Sequence, residues 1–297
     1  MTTNRVTQSM MTSRSLAGLQ GGLSRLAKIQ EQLSTGRVLN RPSDSPGDTA
    51  AAMRLRSVVA AQQQYARNAQ DGLGWLNTLD STLQGANDQI RRARDLALQG
   101  INGAAGADAR EALATEIDQI RAGLVSSANT TYLDRPVFGG TTAGAAAYQA
   151  GPPATYVGDG KPVLRTIADG VDLDVQVAGP AAFGPDGDSV FDHLGALAAA
   201  LRSGDTTAMR AEATQLGDDM TRVTASLTDV GARTVRVEAA VQRADDSRLQ
   251  LQGSLSEIEN TDLPKATMEL HLQEVAYQAS LAATARVLQP SLVDFLR

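Results

Sequence analysis

The stretch from residue 209 to residue 258 decides the fold. It reads MRAEATQLGDDMTRVTASLTDVGARTVRVEAAVQRADDSRLQLQGSLSEI. Apolar side chains recur in it at alternating spacings of four and three residues, and only Thr234 and Arg248 interrupt the pattern. This is the period of helices wound around each other in a left-handed supercoil. At about 1.5 Å per residue the stretch forms a helix about 75 Å long, so we expect a protein that spans or assembles rather than one that encloses a small molecule.

The composition agrees with a helical rod. Of the 297 residues, 42% are hydrophobic but only 3% are aromatic, so thin cores of Ala, Leu and Val are expected. The chain has no cysteine, which excludes disulfides, thiolate metal sites and thiol nucleophiles. Its net charge of -6 argues against a nucleic-acid partner, because nucleic-acid binding needs a net basic face.

The N-terminal half is predicted to contain three helices. The first covers residues 12–35 and ends at Gly36; the second begins at Pro46, with Ser45 as its cap, and continues to about residue 101. A third opens at Asp108, which with Glu111 resembles a capping box, and it pairs with the second in antiparallel fashion. The apolar seam of the first helix consists of Leu16, Leu19, Leu23, Leu26 and Leu33.

The C-terminal half begins with a different pattern. Residues 139–187 contain Gly, Pro and short alternating runs, which predict a small, exposed β-rich insert. A short helix follows from Ser189 to Ser203, closed by Gly204, and the long helix then continues until the Asn260–Pro264 stretch interrupts it. The last amphipathic segment, about residues 262–296, carries on one face Leu270, Tyr277, Leu281, Leu288, Leu292 and Phe295.

These elements predict a mainly α fold: a long antiparallel helical rod with a small β-rich inserted domain. The expected domains are an N-terminal assembly helix (1–42), the two parts of the rod (43–138 and 189–262), the β-rich insert (139–188) and a C-terminal assembly helix (263–297). Pro42, Pro46 and Pro264 are predicted hinges between the assembly and rod segments. Neither terminal segment has a sequence neighbour that could cover its apolar face, so each must pack against the other or against another molecule. Their apolar seams are therefore the predicted assembly interface.

No arrangement of residues predicts catalysis, a cofactor or a metal. His193 and His271 lie far apart within helical patterns and are interpreted as structural or solvated. Turn and helix-cap chemistry accounts for the acidic residues near position 190, and the Asp218/Asp219 pair is expected on a polar rod face. Phosphate-binding glycine loops and the hydrolase elbow are absent from the sequence.

Neither a secretory signal peptide nor a membrane span is expected. The first ten residues lack a continuous apolar stretch, and no run of about 18 apolar residues occurs. If the protein leaves the cytoplasm, we expect it to do so without the general secretory route.

Both ends of the chain resemble the flagellin superfamily of bacterial axial proteins, and in particular its hook–filament junction members. The motifs that carry the resemblance are RVTQSM (5–10), LSRLAKIQEQLSTG (23–36), NRPSD (40–44), RARDLALQ (92–99), NTTY (129–132) before FGGT (138–141), AATARVLQ (282–289) and DFLR (294–297). Flagellins usually have a Ser-Ala-Lys-Asp-like sequence where this chain has Arg41–Asp44, which favours the junction members. Residues 134–137 read DRPV where the family usually has Gly-Arg-Tyr-Leu, and Pro136 cannot donate a strand hydrogen bond there.

The resemblance implies a function and a set of partners. Such proteins are exported unfolded through the flagellar apparatus and self-associate in a tubular ring through their terminal segments. The implied location is the hook–filament junction of the bacterial flagellum, with a hook-side junction protein and flagellin as neighbours. A cytoplasmic export chaperone is expected to cover the C-terminal segment from Leu270 to Phe295. Two alternatives remain at this point: a flagellin filament subunit, and a secreted coiled-coil binding module with residues 145–187 as its recognition domain.

Overall fold

A computed structural model describes residues 2–102, 106–144, 146–149, 151 and 153–288. Within the first and the last helix, side chains are described for Met10, for residues from 12 onward and for residues up to 286. The helices are α1 (Thr2–Thr35), α2 (Pro46–Ile101), α3 (Ala107–Ala128), α4 (Gly179–Phe183), α5 (Val190–Ser203), α6 (Thr206–Glu259) and α7 (Leu263–Leu288). The strands are β1 (Thr131–Tyr132), β2 (Arg135–Pro136), β3 (Tyr148–Gln149), β4 (Thr155–Tyr156), β5 (Leu164–Ala168) and β6 (Val171–Asp174). The predicted mainly α fold is confirmed.

The chain forms two compact units. Unit 1 comprises Met1–Ala60 and Leu249–Arg297, and unit 2 comprises Ala61–Arg248. The limits of both units fall within α2 and α6 rather than at prolines. The predicted boundaries near residues 42 and 262 lie inside unit 1, and those near 138 and 188 lie inside unit 2. The five-part domain division stays a prediction.

Burial confirms the predicted apolar seam of α6 and shows a similar seam on α2. Every seam position of α6, from Met209 to Ile258, is buried or half-buried. In α2 the seam shifts by three residues after Leu76, and both Leu76 and Leu79 are fully buried on either side of the shift. One continuous core within unit 2 joins side chains of α2, α3, α5 and α6.

Most predicted helix starts and ends are confirmed. The Ser45 hydroxyl donates to Asp48 Oδ2 at 2.7 Å at the start of α2, and Ser189 with Asp192 forms a capping box on α5. Gly36 and Gly204 follow the ends of α1 and α5 with φ of 69° and 75°, the left-handed conformation that glycine adopts without strain. Helix boundaries in this chain therefore follow local capping chemistry.

The predicted capping box of α3 is wrong. The helix begins at Ala107, one residue before Asp108, and its N-cap Gly106 makes no side-chain capping hydrogen bond. The acidic side chain of Asp108 instead lies in the first turn, where it interacts favourably with the helix dipole.

The β-rich segment consists of antiparallel hairpins, β3 with β4 and β5 with β6, and it is less exposed than expected. Its residues Tyr148, Val175 and Phe183 are almost completely buried in the core of unit 2. Four rings meet there, with centroid separations between 5.0 and 6.1 Å: Phe138, Tyr148, Phe183 and Phe191. The expectation of an exposed insert is wrong because the few aromatic residues of the chain concentrate where this segment meets the helices.

A tight hairpin joins β1 to β2 directly after α3. Tyr132 pairs with Arg135 and Thr131 with Pro136, so Pro136 does belong to a strand. The two turn residues, Leu133 and Asp134, have φ of 48° and 61°. Positive φ at both positions is the geometry of a type I′ turn, which asparagine and glycine adopt more easily than leucine.

Candidate assembly surface

The two terminal helices pack against each other in antiparallel fashion within unit 1. Gly36, just after the end of α1, lies beside Thr261, just before the start of α7. Gly22, earlier in α1, lies beside Tyr277, later in α7. The two helices therefore run in opposite directions. The Gln273 side chain donates to the carbonyl oxygen of Gly22 at 3.3 Å. The terminal segments thus partly cover each other, which is one of the two outcomes that the sequence allowed.

The predicted seam of α1 is half correct. Leu19, Leu26 and Leu33 are half-buried, but Leu16 and Leu23 are 55% and 54% exposed. The positions that alternate with the half-buried leucines are the less exposed Ser15, Gly22 and Ile29. Ser15 and Gly22 carry no apolar signal in the sequence, yet close contact between two helices needs small side chains.

The last helix has two apolar stripes. Leu270 and Tyr277, from the predicted stripe, are half-buried, and Leu281 is 44% exposed. A second stripe of Met268, Leu272 and Val275 is between 66% and 73% exposed. Its four-three spacing could have been found in the sequence, and it projects from the opposite side of the helix.

The predicted assembly residues thus fall into three groups. The structure brings Leu19, Leu26, Leu33, Leu270 and Tyr277 into half-buried positions. It leaves Leu16, Leu23 and Leu281 exposed. The side chain of Leu288, together with Leu292 and Phe295, lies outside the described residues. That these residues form contacts between subunits stays a prediction.

The two linkers of unit 1 are bonded to each other. We call residues 36–45 together with residues 259–262 the linker clasp. Val38 N donates to the carbonyl oxygen of Glu259 at 2.8 Å, and Thr261 N donates to that of Gly36 at 2.9 Å. The clasp joins parts of the sequence more than 200 residues apart, so it forms only when both linkers are in place.

Asp44 organises the first linker. Its carboxylate accepts hydrogen bonds from the backbone N–H groups of Arg41 at 2.8 Å and Asn40 at 3.2 Å. The Arg41 N–H, followed by the ammonium of Lys28 at 3.1 Å, lowers the pKa of Asp44 below its ordinary value. The NRPSD motif is therefore a self-bonded turn.

The three predicted hinge prolines lie at or beside this clasp. Pro42 is exposed in the first linker, Pro46 is the first residue of α2, and Pro264 is the second residue of α7. A proline in the first turn of a helix loses no hydrogen bond, so both helices start without strain. The hinge role of the three prolines stays a prediction.

A partly buried ion pair beside the linker clasp joins α2 to the end of α6. Arg56 Nη2 lies 2.7 Å from Glu259 Oε1, and the side chain of Glu259 is only 8% exposed. Removal of one partner from a buried pair leaves an uncompensated charge, which costs far more than an exposed pair contributes. Arg56 therefore has a structural partner in Glu259.

A second cluster of charged groups lies in unit 2, around His193. Its Nδ1 lies 2.7 Å from Asp219 Oδ2 and its Nε2 lies 3.1 Å from Asp188 Oδ1. The hydrogen bond to Asp219 is the main cause that raises the pKa of His193, and burial raises the pKa of Glu212 nearby. Because Asp219 is 1% exposed and also pairs with Arg222 at 3.1 Å, its predicted place on a polar face is wrong.

The His193 cluster fastens the start of α5 to α6. Both ring nitrogens of His193 contact carboxylates, which agrees with its structural interpretation. Among the described residues, no group of three or more His, Cys, Asp or Glu side chains could hold a metal ion. None of the described helices is long and apolar enough to cross a membrane.

The N-terminal and C-terminal helical regions of the chain both match known family models. The model of the bacterial flagellin N-terminal helical region matches residues 6–141, and that of the C-terminal helical region matches residues 213–296. The chain belongs to the flagellin family. The two matched regions contain α2, α3, most of α1 and α6, and α7, so the long helices are the family's shared part.

Two curated relatives of the flagellin family match this chain nearly end to end. The flagellar hook-associated protein 3 of Salmonella typhimurium strain LT2 is 26% identical over 93% of this chain and 94% of its own length. A flagellin of Halalkalibacterium halodurans is 24% identical over 88% of each. The crystal structure of FlgL from Bacillus cereus, at 24% identity and a TM-score of 0.61, covers 68% of this chain and 99% of its own and has the same fold.

Proposed function

We propose that this protein is the structural axial component that joins the flagellar hook to the flagellin filament. The observation that carries the proposal is the nearly end-to-end match to flagellar hook-associated protein 3. The Arg41–Asp44 stretch supports it, because flagellins usually have a different sequence there. The role is structural and involves no catalysis.

The proposed mechanism is helical self-association of the terminal segments. In the single chain α1 and α7 cover only part of each other, and large apolar side chains stay exposed on both helices, among them Leu16, Leu23, Met268 and Leu272. Packing of these side chains against neighbouring subunits would remove them from water and so favour a tube. The proposed neighbours are further copies of this chain, a hook-side junction protein and flagellin.

A cytoplasmic export chaperone is the proposed partner before assembly. The exposed apolar stripe of α7 gives a physical reason. Its side chains, Met268, Leu272 and Val275, lie on one face of the helix, and such a patch promotes aggregation unless it is covered. Export then delivers the chain to the growing flagellum, outside the cell. Co-purification of a small cytoplasmic protein with the full chain, but not with a chain that lacks residues 264–297, would support this partner.

Deletion of the gene tests the junction role. Electron microscopy of the mutant cells is expected to show hooks without filaments, with flagellin recovered from the medium. Restoration of filaments by the wild-type gene is the control. Filaments of normal length on the mutant cells would refute the role.

The flagellin of Halalkalibacterium halodurans supports a second candidate function, that of a filament subunit. The two functions predict different copy numbers. A filament subunit would be the most abundant protein of sheared filaments, whereas a junction protein would be scarce. Quantitative mass spectrometry of sheared filaments, with the flagellin of the same cells as reference, separates them.

A further inference from the structure

A charged socket opens beside the linker clasp, inside unit 1. Its volume is about 290 Å³, enough for one or two side chains. Three arginines, Arg37, Arg41 and Arg56, line it with a single carboxylate, that of Glu259. Apolar surface from Ala52, Met53 and Pro42 completes the wall.

The positive charge of the socket is only partly neutralised. Glu259 is committed to Arg56 at 2.7 Å. Arg41 reaches Glu31 at 3.4 Å, but both side chains are well exposed, so this pair is weak. Within the described part of the chain, the Arg37 side chain forms no ion pair. Two guanidinium groups are therefore available to an anion.

A buried hydroxyl also lacks a partner in this wall. The Oγ1 atom of Thr49 is shielded from solvent and makes no hydrogen bond within the residues that the structure describes. A hydroxyl donates readily to a carboxylate oxygen. The wall thus offers two exposed cationic donors to a carboxylate, whereas the shielded Thr49 hydroxyl would have to be uncovered before it could donate.

The charge of the chain itself indicates the ligand. Unit 1 contains 11 Lys and Arg against nine Asp and Glu, with eight of these basic residues and three of the acidic ones in residues 1–60, whereas unit 2 contains 16 against 24. A copy of this chain thus presents a basic N-terminal part and an acidic unit 2. Charges of opposite sign attract neighbouring copies and fix their register.

We propose that the socket binds an Asp or Glu side chain from unit 2 of a second copy of this chain. This inference rests on the proposed function, since it assigns one contact of the assembled ring. The carboxylate lies between Arg37 and Arg41, and Arg56 stays paired with Glu259. A head-to-tail contact of this kind uses two different surfaces of the chain, which is the geometry that closes rings or extends tubes.

Cross-linking of the full chain tests the contact directly. Arg37→Lys keeps the positive charge and adds an amine that a water-soluble carbodiimide joins to a contacting carboxylate. A mixture of ¹⁴N-labelled and ¹⁵N-labelled Arg37→Lys protein is expected to yield peptides in which the amine introduced at position 37 is linked to an Asp or Glu of unit 2 that carries the other label. The matched control is Arg54→Lys, an exposed arginine of the same region that does not line the socket.

The yield of mixed-label links decides the result. We expect about fivefold more at position 37 than at position 54, the ratio for an ion pair of moderate strength. Equal yields at the two positions, or links confined to one label, would overturn the inference. A link from position 37 to another part of the second copy would overturn the assignment to unit 2.

A cellular measurement separates this inference from the proposed function. In cells that lack the gene, Arg37→Gln/Arg41→Gln is expected to be retained on purified hooks about fivefold less than wild type, and Arg54→Gln as well as wild type. Equal circular dichroism spectra and melting temperatures show that the variants fold. Normal retention of Arg37→Gln/Arg41→Gln would overturn the socket and leave the junction role intact. Absence of the wild-type protein from hooks would instead refute the junction role, while the cross-links still decide the socket.

Discussion

Gly22 shows how one small residue determines the contact between α1 and α7. A Cβ atom at this position would lie 3.3 Å from the Cδ2 atom of Tyr277, which is tighter than ordinary van der Waals contact. Gly18, one turn earlier, has open space around it. Of these two glycines, only Gly22 therefore brings the backbone of α1 close to α7.

Gly22→Leu should loosen the helix pair. Overpacking at such a contact costs about 1–3 kcal/mol, which exceeds the gain of about 1 kcal/mol from the better helix propensity. We expect faster amide hydrogen exchange in α1 and α7, measured by mass spectrometry. Gly18→Leu is the matched control and should slow exchange slightly. Equal exchange in the two variants would show that the Gly22 contact is unimportant.

His193 gives unit 2 a pH-dependent stability. Its pKa is raised in the folded protein, mainly by the hydrogen bond with Asp219. The stabilisation is fully present below the unfolded pKa of about 6.5 and is lost as the pH rises through the higher folded value. The free energy of unfolding should therefore fall as the pH is raised above neutrality.

Urea unfolding between pH 6 and pH 9, followed by circular dichroism, measures this effect. His193→Gln should flatten the dependence, and the exposed His271→Gln should leave it unchanged. Burial raises the pKa of Glu212 in the wild-type protein and in the variants alike. Its effect on the free energy of unfolding begins at a lower pH, nearer 4.5. An equally steep dependence in His193→Gln would assign the effect to another group.

Among the elements, the hairpin of β1 and β2 stores backbone strain. Leu133 and Asp134 both have positive φ, and Leu133 is 73% exposed, so its side chain contributes little burial. Asparagine followed by glycine is the preferred pair for this turn. Leu133→Asn with Asp134→Gly should raise stability by about 1 kcal/mol, which a scan of the melting temperature detects. Asparagine at the exposed strand position Thr131 is the control, and a lower melting temperature of the turn variant would contradict the prediction.

The long helices could be predicted from the sequence because their period and caps are local signals. The seam of α6, the start of α2 at Pro46 and the end of α5 at Gly204 all follow from neighbouring residues. The burial of the β-rich segment could not be predicted from the sequence, because it depends on partners that are distant along the chain. Phe138 and Phe191 lie 53 positions apart in the sequence and still share one aromatic cluster.

The candidate site was less predictable than the fold. Half of the α1 seam was found, but the small residues Ser15 and Gly22 carry no apolar signal. The linker clasp and the Arg56–Glu259 pair join residues from opposite ends of the chain, and no local pattern indicates such contacts. The buried position of Asp219 likewise depends on His193, which lies on another helix.

At the scale of the whole molecule, the two units differ in how much core they contain. Of the described residues of unit 1, only Ala52, Val59 and Ala266 are buried hydrophobic side chains, whereas the continuous core belongs entirely to unit 2. Unit 2 therefore has its own source of stability, and unit 1 depends on thin helix contacts and the linker clasp.

Deletion of residues 264–297 tests this difference. The truncated chain should keep most of its helical content, because the core of unit 2 is untouched, but it should no longer join the hook end. Circular dichroism measures the first outcome, and electron microscopy of cells that express only the truncated chain measures the second. The full-length chain expressed from the same plasmid is the control. Loss of most helical content would contradict the independence of unit 2.

The pairing of both ends imposes an order in time. If the chain is exported as proposed and its N-terminus emerges first, α1 is released at the beginning and α7 at the end, yet each helix packs against the other. Nearly the whole polypeptide must be delivered before Thr261 can bond to Gly36, and contacts between such distant residues form slowly. Under the proposed export, the first part to arrive is among the last to be completed, and a subunit would become ready for the proposed neighbours only when its delivery is finished.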